Sequence, residues 1–149
     1  YGPGDTFSED GHVLAAMIRK CHEAKVAGAS EVVFWGSGRQ RRQFLYVEDL
    51  AAAAVEIMQV PAFKWGSLLN VAGHPARRLA DVAESVADVV GYTGRIRWDP
   101  TKAEGVPRKE ITGGWAFPVP PTLLRAGVKQ TYDWYQAKVA NLPQGQNRG

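Results

Sequence analysis

The chain has 149 residues, 45% apolar and 22% charged, with a formal net charge of +3. That composition is enough for one hydrophobic core and excludes bulk disorder, while the lone Cys21 excludes a disulfide scaffold and suits a reducing, cytoplasmic compartment. No run approaches the ~18 apolar residues of a spanning helix and no charged-then-apolar leader opens the sequence, so neither a membrane nor secretion is expected.

Residues 1–11 are turn chemistry: Gly2, Pro3 and Gly4 break regular structure, and Ser8 to Gly11 offer capping groups. The start at Tyr1, with no methionine before it, reads as a piece of something longer or as a processed product. From His12 to Lys25, Val13, Leu14, Met17, Ile18 and Cys21 recur at helical spacing, and Gly28 closes the helix. EVVFW (31–35) is a buried strand by its β-branched and aromatic content. A loop, GSGRQRRQ (36–43), leads to a second predicted strand, FLYV (44–47).

Glu48 or Asp49 is the predicted cap of a helix from about Leu50 to Gln59, ended by Pro61. Its alanines face every direction, which implies burial on most sides. SLLNVAG (67–73) is another predicted strand. Leu79, Val82, Ala83, Val86, Val89 and Val90 then mark the clearest helix in the chain, stopped by Gly91. RIRW (95–98) is a short strand, residues 100–121 a proline- and glycine-rich loop, and a last helix runs from Thr122 until it fades by Asn141. The expected organisation is one α/β domain over residues 1–140, with 141–149 a flexible tail.

Three chemistries fail on the residues. His12, His22 and His74 form no HExxH pair, and one cysteine cannot build a zinc knuckle, so no metal is expected. No GxSxG elbow or Walker loop exists. GSGRQR begins like a dinucleotide fingerprint, yet Arg41 stands where the third glycine belongs and a strand, not a helix, is predicted to follow. Mixed charge along most of the chain and the lack of a recognition motif argue against nucleic acid.

Anion binding is the chemistry that survives. Arg39, Arg41 and Arg42 share a loop with no acid among them, and the Arg42 guanidinium can fork onto a diphosphate through two parallel hydrogen bonds. Arg108-Lys109 supply a second clamp, and Arg77-Arg78 further positive points. A solvated basic loop accounts for the same arginines. Trp35 either packs in the core or covers a sugar or base. His12, at a helix start, is a surface residue on its local surroundings alone.

Taken in order, YGPGD, SEDGHVLAAMIRKCHEAK, VVFWGSG, RQFLYVEDLA, NVAG and VVGYTGRIRWDPTKAEGVPRK closely resemble the GDP-L-fucose synthase family of extended short-chain dehydrogenases/reductases, in its C-terminal half. The likeness runs nearly unbroken to Lys109, with a weaker echo in GVKQTYDWY. That family epimerises two carbons of a GDP-linked keto-deoxymannose and reduces its ketone with NADPH. The resemblance implies a small mixed α/β substrate-binding domain, lacking most of the Rossmann domain and its NADP cradle. It also implies that His12 is the acid–base group of the epimerisation and lies by the nicotinamide of NADP. Lys20, Trp35, Arg42 and Lys109 are implied contacts of the GDP-sugar, with Arg42 and Lys109 at its phosphates.

His12 and Lys20, eight residues apart, stand about 80° apart around an ideal helix and can border one cleft. Lys20 occupies a position where related bacterial enzymes often carry arginine, and lysine keeps the charge without the fork. After Lys109, ITGGWAFPVP is shorter and richer in proline than the family pattern, and Ala76 replaces its helix-capping Ser or Thr. None of the five tyrosines is followed four residues on by lysine, so the family's Tyr-x-x-x-Lys proton donor is missing from this sequence. The expectation is a GDP-sugar-binding portion inactive alone, exposing apolar surface that favours a homodimer or larger oligomer. The alternative is a non-catalytic binding or oligomerising module derived from the same scaffold.

Overall fold

A computed structural model describes residues 1–8, 11–61, 68–102, 104–111 and 121–140. The first helix, α1 (Val13–Val26), buries Leu14, Met17, Ile18 and Cys21 on one stripe, at the spacing that puts side chains one above another. It packs on β1 (Glu31–Trp35), whose Val32 and Phe34 point into the core. β1 pairs in parallel with β4 (Arg95–Asp99), Glu31 opposite Arg95 through Trp35 opposite Asp99.

Between those strands runs α3 (Leu79–Val90), which buries Leu79, Val82, Ala83, Val86 and Val90 against α1 on one side and α4 (Leu124–Ala140) on the other. Gly91 ends α3 in the left-handed conformation, φ 74°, which only glycine adopts without strain. The Lys25 ammonium from the end of α1 donates to the Val90 carbonyl at 2.7 Å and satisfies one of the orphan acceptors of that helix end. The core is therefore a three-helix seam backed by a two-stranded ribbon. Within it, burial pushes the Cys21 thiol up to about 12, so the sulfur is an inert apolar filler.

A second, three-stranded sheet is made of two-residue strands in the order β3 (Arg77–Arg78), β2 (Arg41–Arg42), β5 (Arg108–Lys109). β2 and β5 lie in segments read from the sequence as loop, and β3 in a stretch given no element, because two residues carry no period.

Two predicted strands are corrected. FLYV (44–47) joins no ladder: α2 (Val47–Gln59) begins within it, three residues earlier than expected. Its strand-forming residues are held instead by Tyr1, whose amino group donates to the Leu45 carbonyl and whose carbonyl accepts from Val47. Residues 68–73 of the SLLNVAG segment are likewise outside any strand. The cap of α2 is corrected too. Tyr46 is the N-cap, and Asp49 turns away to accept 2.7 Å hydrogen bonds from the backbone and hydroxyl of Thr122, just before α4. Of the alanines in α2 only Ala53 is buried, while Met58 is 77% exposed, so this helix meets the other described residues along one narrow line.

Residue 76 is not the cap of α3 either; Arg78 is. No side chain among the described residues caps that helix. The carbonyls of Gln40 and Gly38 accept from Leu79 and Ala80 and take over the capping. The predicted tail, 141–149, falls outside the described residues. Among those described, no helix is long and apolar enough to cross a membrane.

Candidate functional site

The loop from Gly36 to Gln40 bends sharply between β1 and β2 because Gly36 and Gly38 take positive φ, 84° and 72°. A side chain at either would strike its surroundings: a Cβ on Gly38 would stand 2.6 Å from the Trp98 ring. The bend swings the chain over the start of α1 and leaves a cavity of about 380 Å³. Its walls include Lys20, Trp35, Gln40, Arg42, Trp98 and Glu104.

Three of the residues singled out from the sequence therefore share one hollow. Lys20 crosses from α1, its ammonium 3.4 Å from the Val33 carbonyl and 5.5 Å from the centroid of the Trp35 ring. Trp35 ends β1 and is 49% exposed, so its indole forms wall rather than core. Arg42 donates to the Arg41 carbonyl at 2.9 Å, and a Cβ on Gly105 would stand 3.4 Å from its Nη2, so that glycine leaves room for the guanidinium.

Lys109 is not on the cavity wall, but register makes it the neighbour of Arg42: β2 and β5 run parallel with Arg42 opposite Lys109. His12 is also off the wall, between Gly11 and Val13, which line it. It is the N-cap of α1, its side chain 85% exposed, with Nδ1 2.9 Å from Asp5. That contact orients the ring.

Directly opposed residues project to the same face of a sheet. Arg77, Arg42 and Lys109 thus form one row of the small sheet, and Arg78, Arg41 and Arg108 the other. Two of the three arginines in the second row are paired with carboxylates. Arg78 pairs with Asp81 at 2.6 Å, Arg108 pairs with Glu110, and Arg41 reaches the Ala76 carbonyl at 3.4 Å. The Arg78 guanidinium holds the Asp81 carboxyl below the usual carboxylate range. No ion pair reaches Arg77, Arg42 or Lys109 among the described residues. Three adjacent like charges repel, and a multivalent anion relieves that repulsion. Among the described residues Glu104 is the one carboxylate on the cavity wall, beside the two cations Lys20 and Arg42.

Glu110 staples this sheet. One carboxylate oxygen accepts from the Ala76 amide at 2.9 Å, beside β3, and the other accepts from Arg108 in β5. The Ala76 amide first, then Arg108, hold its carboxyl below the ordinary value. A carboxyl depressed in the fold stabilises it above that ordinary value, and the contribution is lost as pH falls. Glu110→Gln is accordingly expected to melt lower than wild type at pH 7, with the gap closing as pH drops below 4.5. A gap undiminished at pH 3 would refute the electrostatic staple.

The sequence reading missed Gln40 and the pairing of Arg77 with Arg42. The only trace of the pairing was three separated basic dipeptides with no acid between their members. Among the described residues no group of three His, Cys, Asp or Glu could hold a metal ion.

Residues 1–72 match the model of the NAD dependent epimerase/dehydratase family. Over 95% of its length the chain is 43% identical to GDP-L-fucose synthase 1 of Arabidopsis thaliana, covering 44% of that protein. Over 91% it is 37% identical to the GDP-L-fucose synthase of Escherichia coli, covering 46% of it. The fold superposes on the GDP-L-fucose synthetase of Naegleria fowleri bound to NADP with a TM-score of 0.80 and 26% identity, over 95% of this chain and 45% of that one. The chain thus resembles GDP-L-fucose synthases over nearly all its length and forms part of an extended short-chain dehydrogenase/reductase fold. It spans about half the length of the relatives it matches.

Proposed function

We propose that this chain, a relative of the GDP-L-fucose synthases, is the GDP-sugar-binding portion of such an epimerase/reductase and does not turn over by itself. The observation that carries the reading is the row of Arg77, Arg42 and Lys109, which no ion pair reaches among the described residues and whose middle member, Arg42, lines a nucleotide-sized cavity. The row takes the diphosphate: Arg42 by its fork, Lys109 as a point charge, Arg77 as the flanking cation. Trp35 and Trp98 offer ring faces for the sugar or base.

NADP, the cofactor of this reading, supplies hydride when bound. Of the residues present only His12 is assigned beside it, and its exposed ring, oriented through Nδ1 by Asp5, suits a group that meets its ligands from the outside. In the same reading the free Nε2 of His12 moves a proton at the sugar carbon being epimerised. The reduction itself needs a proton donor of the Tyr-x-x-x-Lys type, which none of the five tyrosines here provides.

Titration calorimetry of the chain with GDP tests the proposal. Measurable binding that weakens as salt rises is expected. No heat at millimolar GDP would discard the inherited site and favour a repurposed binding module.

The exposed Leu50, Val55 and Met58 of α2, with Leu68 nearby in sequence, give an apolar face that favours self-association in this reading. Size-exclusion chromatography with light scattering is expected to show a dimer or larger species. A monomer at high concentration would rule that out.

A further inference from the structure

We infer that Gln40 reads the ligand in this cavity: its side-chain amide hydrogen-bonds a sugar hydroxyl that flanks the diphosphate, an inference that rests on the nucleotide-sugar reading above. Gln40 is only 3% exposed, and its Oε1 is buried with no hydrogen-bond partner among the described residues. Buried amide oxygens are nearly always satisfied, because stripping one of water without replacing the bond is unfavourable. Gln40 is one of the residues lining the wall that also carries Lys20, Trp35 and Arg42, so a ligand seated there reaches the oxygen by a small turn of the amide.

The backbone of Gln40 is held: its main-chain carbonyl accepts from Leu79 at the head of α3, at 2.9 Å. Its Nε2 sits under Gly36, where a Cβ would stand 2.7 Å away. Two residues on, Arg42 projects to the same side of the extended chain, so a ligand whose phosphate meets Arg42 brings its adjoining groups past Gln40.

The chemistry of that adjoining group follows from the amide. A neutral side chain does not recognise the phosphate charge, which Arg42 already does. An unmatched oxygen acceptor needs a donor, and a hydroxyl both donates and accepts, so it satisfies either end of the amide. In a nucleoside diphosphate sugar, hydroxyls flank the diphosphate on both sides, from the ribose and from the hexose.

The test uses Gln40→Met, close in length and without polar atoms, titrated with GDP and with GDP-mannose, together with thermal melts of the unliganded proteins. The expected result is a melting temperature equal to or above wild type with affinity about tenfold lower. Loss for GDP-mannose alone assigns the hexose hydroxyl, and equal loss for both assigns the ribose. Unchanged affinity for both overturns the inference.

Should the Met variant fail to fold, Gln40→Asn keeps the amide and shortens its reach, and the same ligand-dependent loss is expected. Wild-type affinity in that variant is then the overturning result. Absence of GDP and GDP-mannose binding to the wild type removes the nucleotide-sugar reading itself, which distinguishes that failure from this one.

Discussion

Arg42→Ala is expected to weaken GDP binding by about a hundredfold while leaving the melting temperature within a few degrees of wild type. The magnitude follows from the bond being lost: two charge-assisted hydrogen bonds to a phosphate are together worth about 3 kcal/mol, or two decades in affinity. The fold is spared because, among the described residues, the guanidinium makes one side-chain hydrogen bond, to the neighbouring Arg41 carbonyl, and none into the core. Removing one of three repelling cations offsets even that. Arg42→Lys keeps the charge without the fork and should recover only part of the affinity. Lys109→Ala should cost less, about tenfold, since a point charge on an exposed strand is already well hydrated.

The second large effect is structural. In Gly38→Ala a methyl group enters at φ 72° and 2.6 Å from the Trp98 ring. The left-handed conformation costs an alanine about 1–2 kcal/mol, and displacing a packed ring a further 1–3 kcal/mol. For a chain of this size that corresponds to a drop of roughly 6–15 °C in melting temperature, read by circular dichroism. GDP affinity should fall with it, because the Gly36–Gln40 bend carries one wall of the cavity. A Gly38→Ala protein with wild-type melting and binding would show that the bend has freedom to spare. The same substitution at Gly4, φ 85° with nothing within 4 Å, is the control for conformational strain alone.

What was legible in the sequence was whatever carried a period. The helical stripes of α1 and α3, and the β-branched run of β1, each bury a continuous face, and burial imposes the spacing. The misread elements lack that imprint. β2, β3 and β5 are two residues long and wholly cationic, so nothing apolar marked them as sheet. FLYV has strand-forming residues, yet its tertiary partner is the Tyr1 backbone rather than a neighbouring strand, and packing overrode propensity.

The site divides the same way. Lys20, Trp35 and Arg42 were named from the sequence, and the fold brings them around one cavity. Their convergence was invisible, since it depends on two glycines folding the loop inward. Gln40 gave no signal at all: a glutamine among arginines reads as solvated loop, and only its burial distinguishes it. The row joining Arg77 to Arg42 is a matter of register between segments 35 residues apart, which no local pattern encodes.

The most direct measurement is a crystal structure of the chain soaked with GDP. The diphosphate oxygens should lie within hydrogen-bond distance of the Arg42 guanidinium and of the Lys109 ammonium, with the nucleoside directed into the hollow walled by Trp35 and Trp98. GDP seated elsewhere, with the row of Arg77, Arg42 and Lys109 left to solvent, would contradict the account.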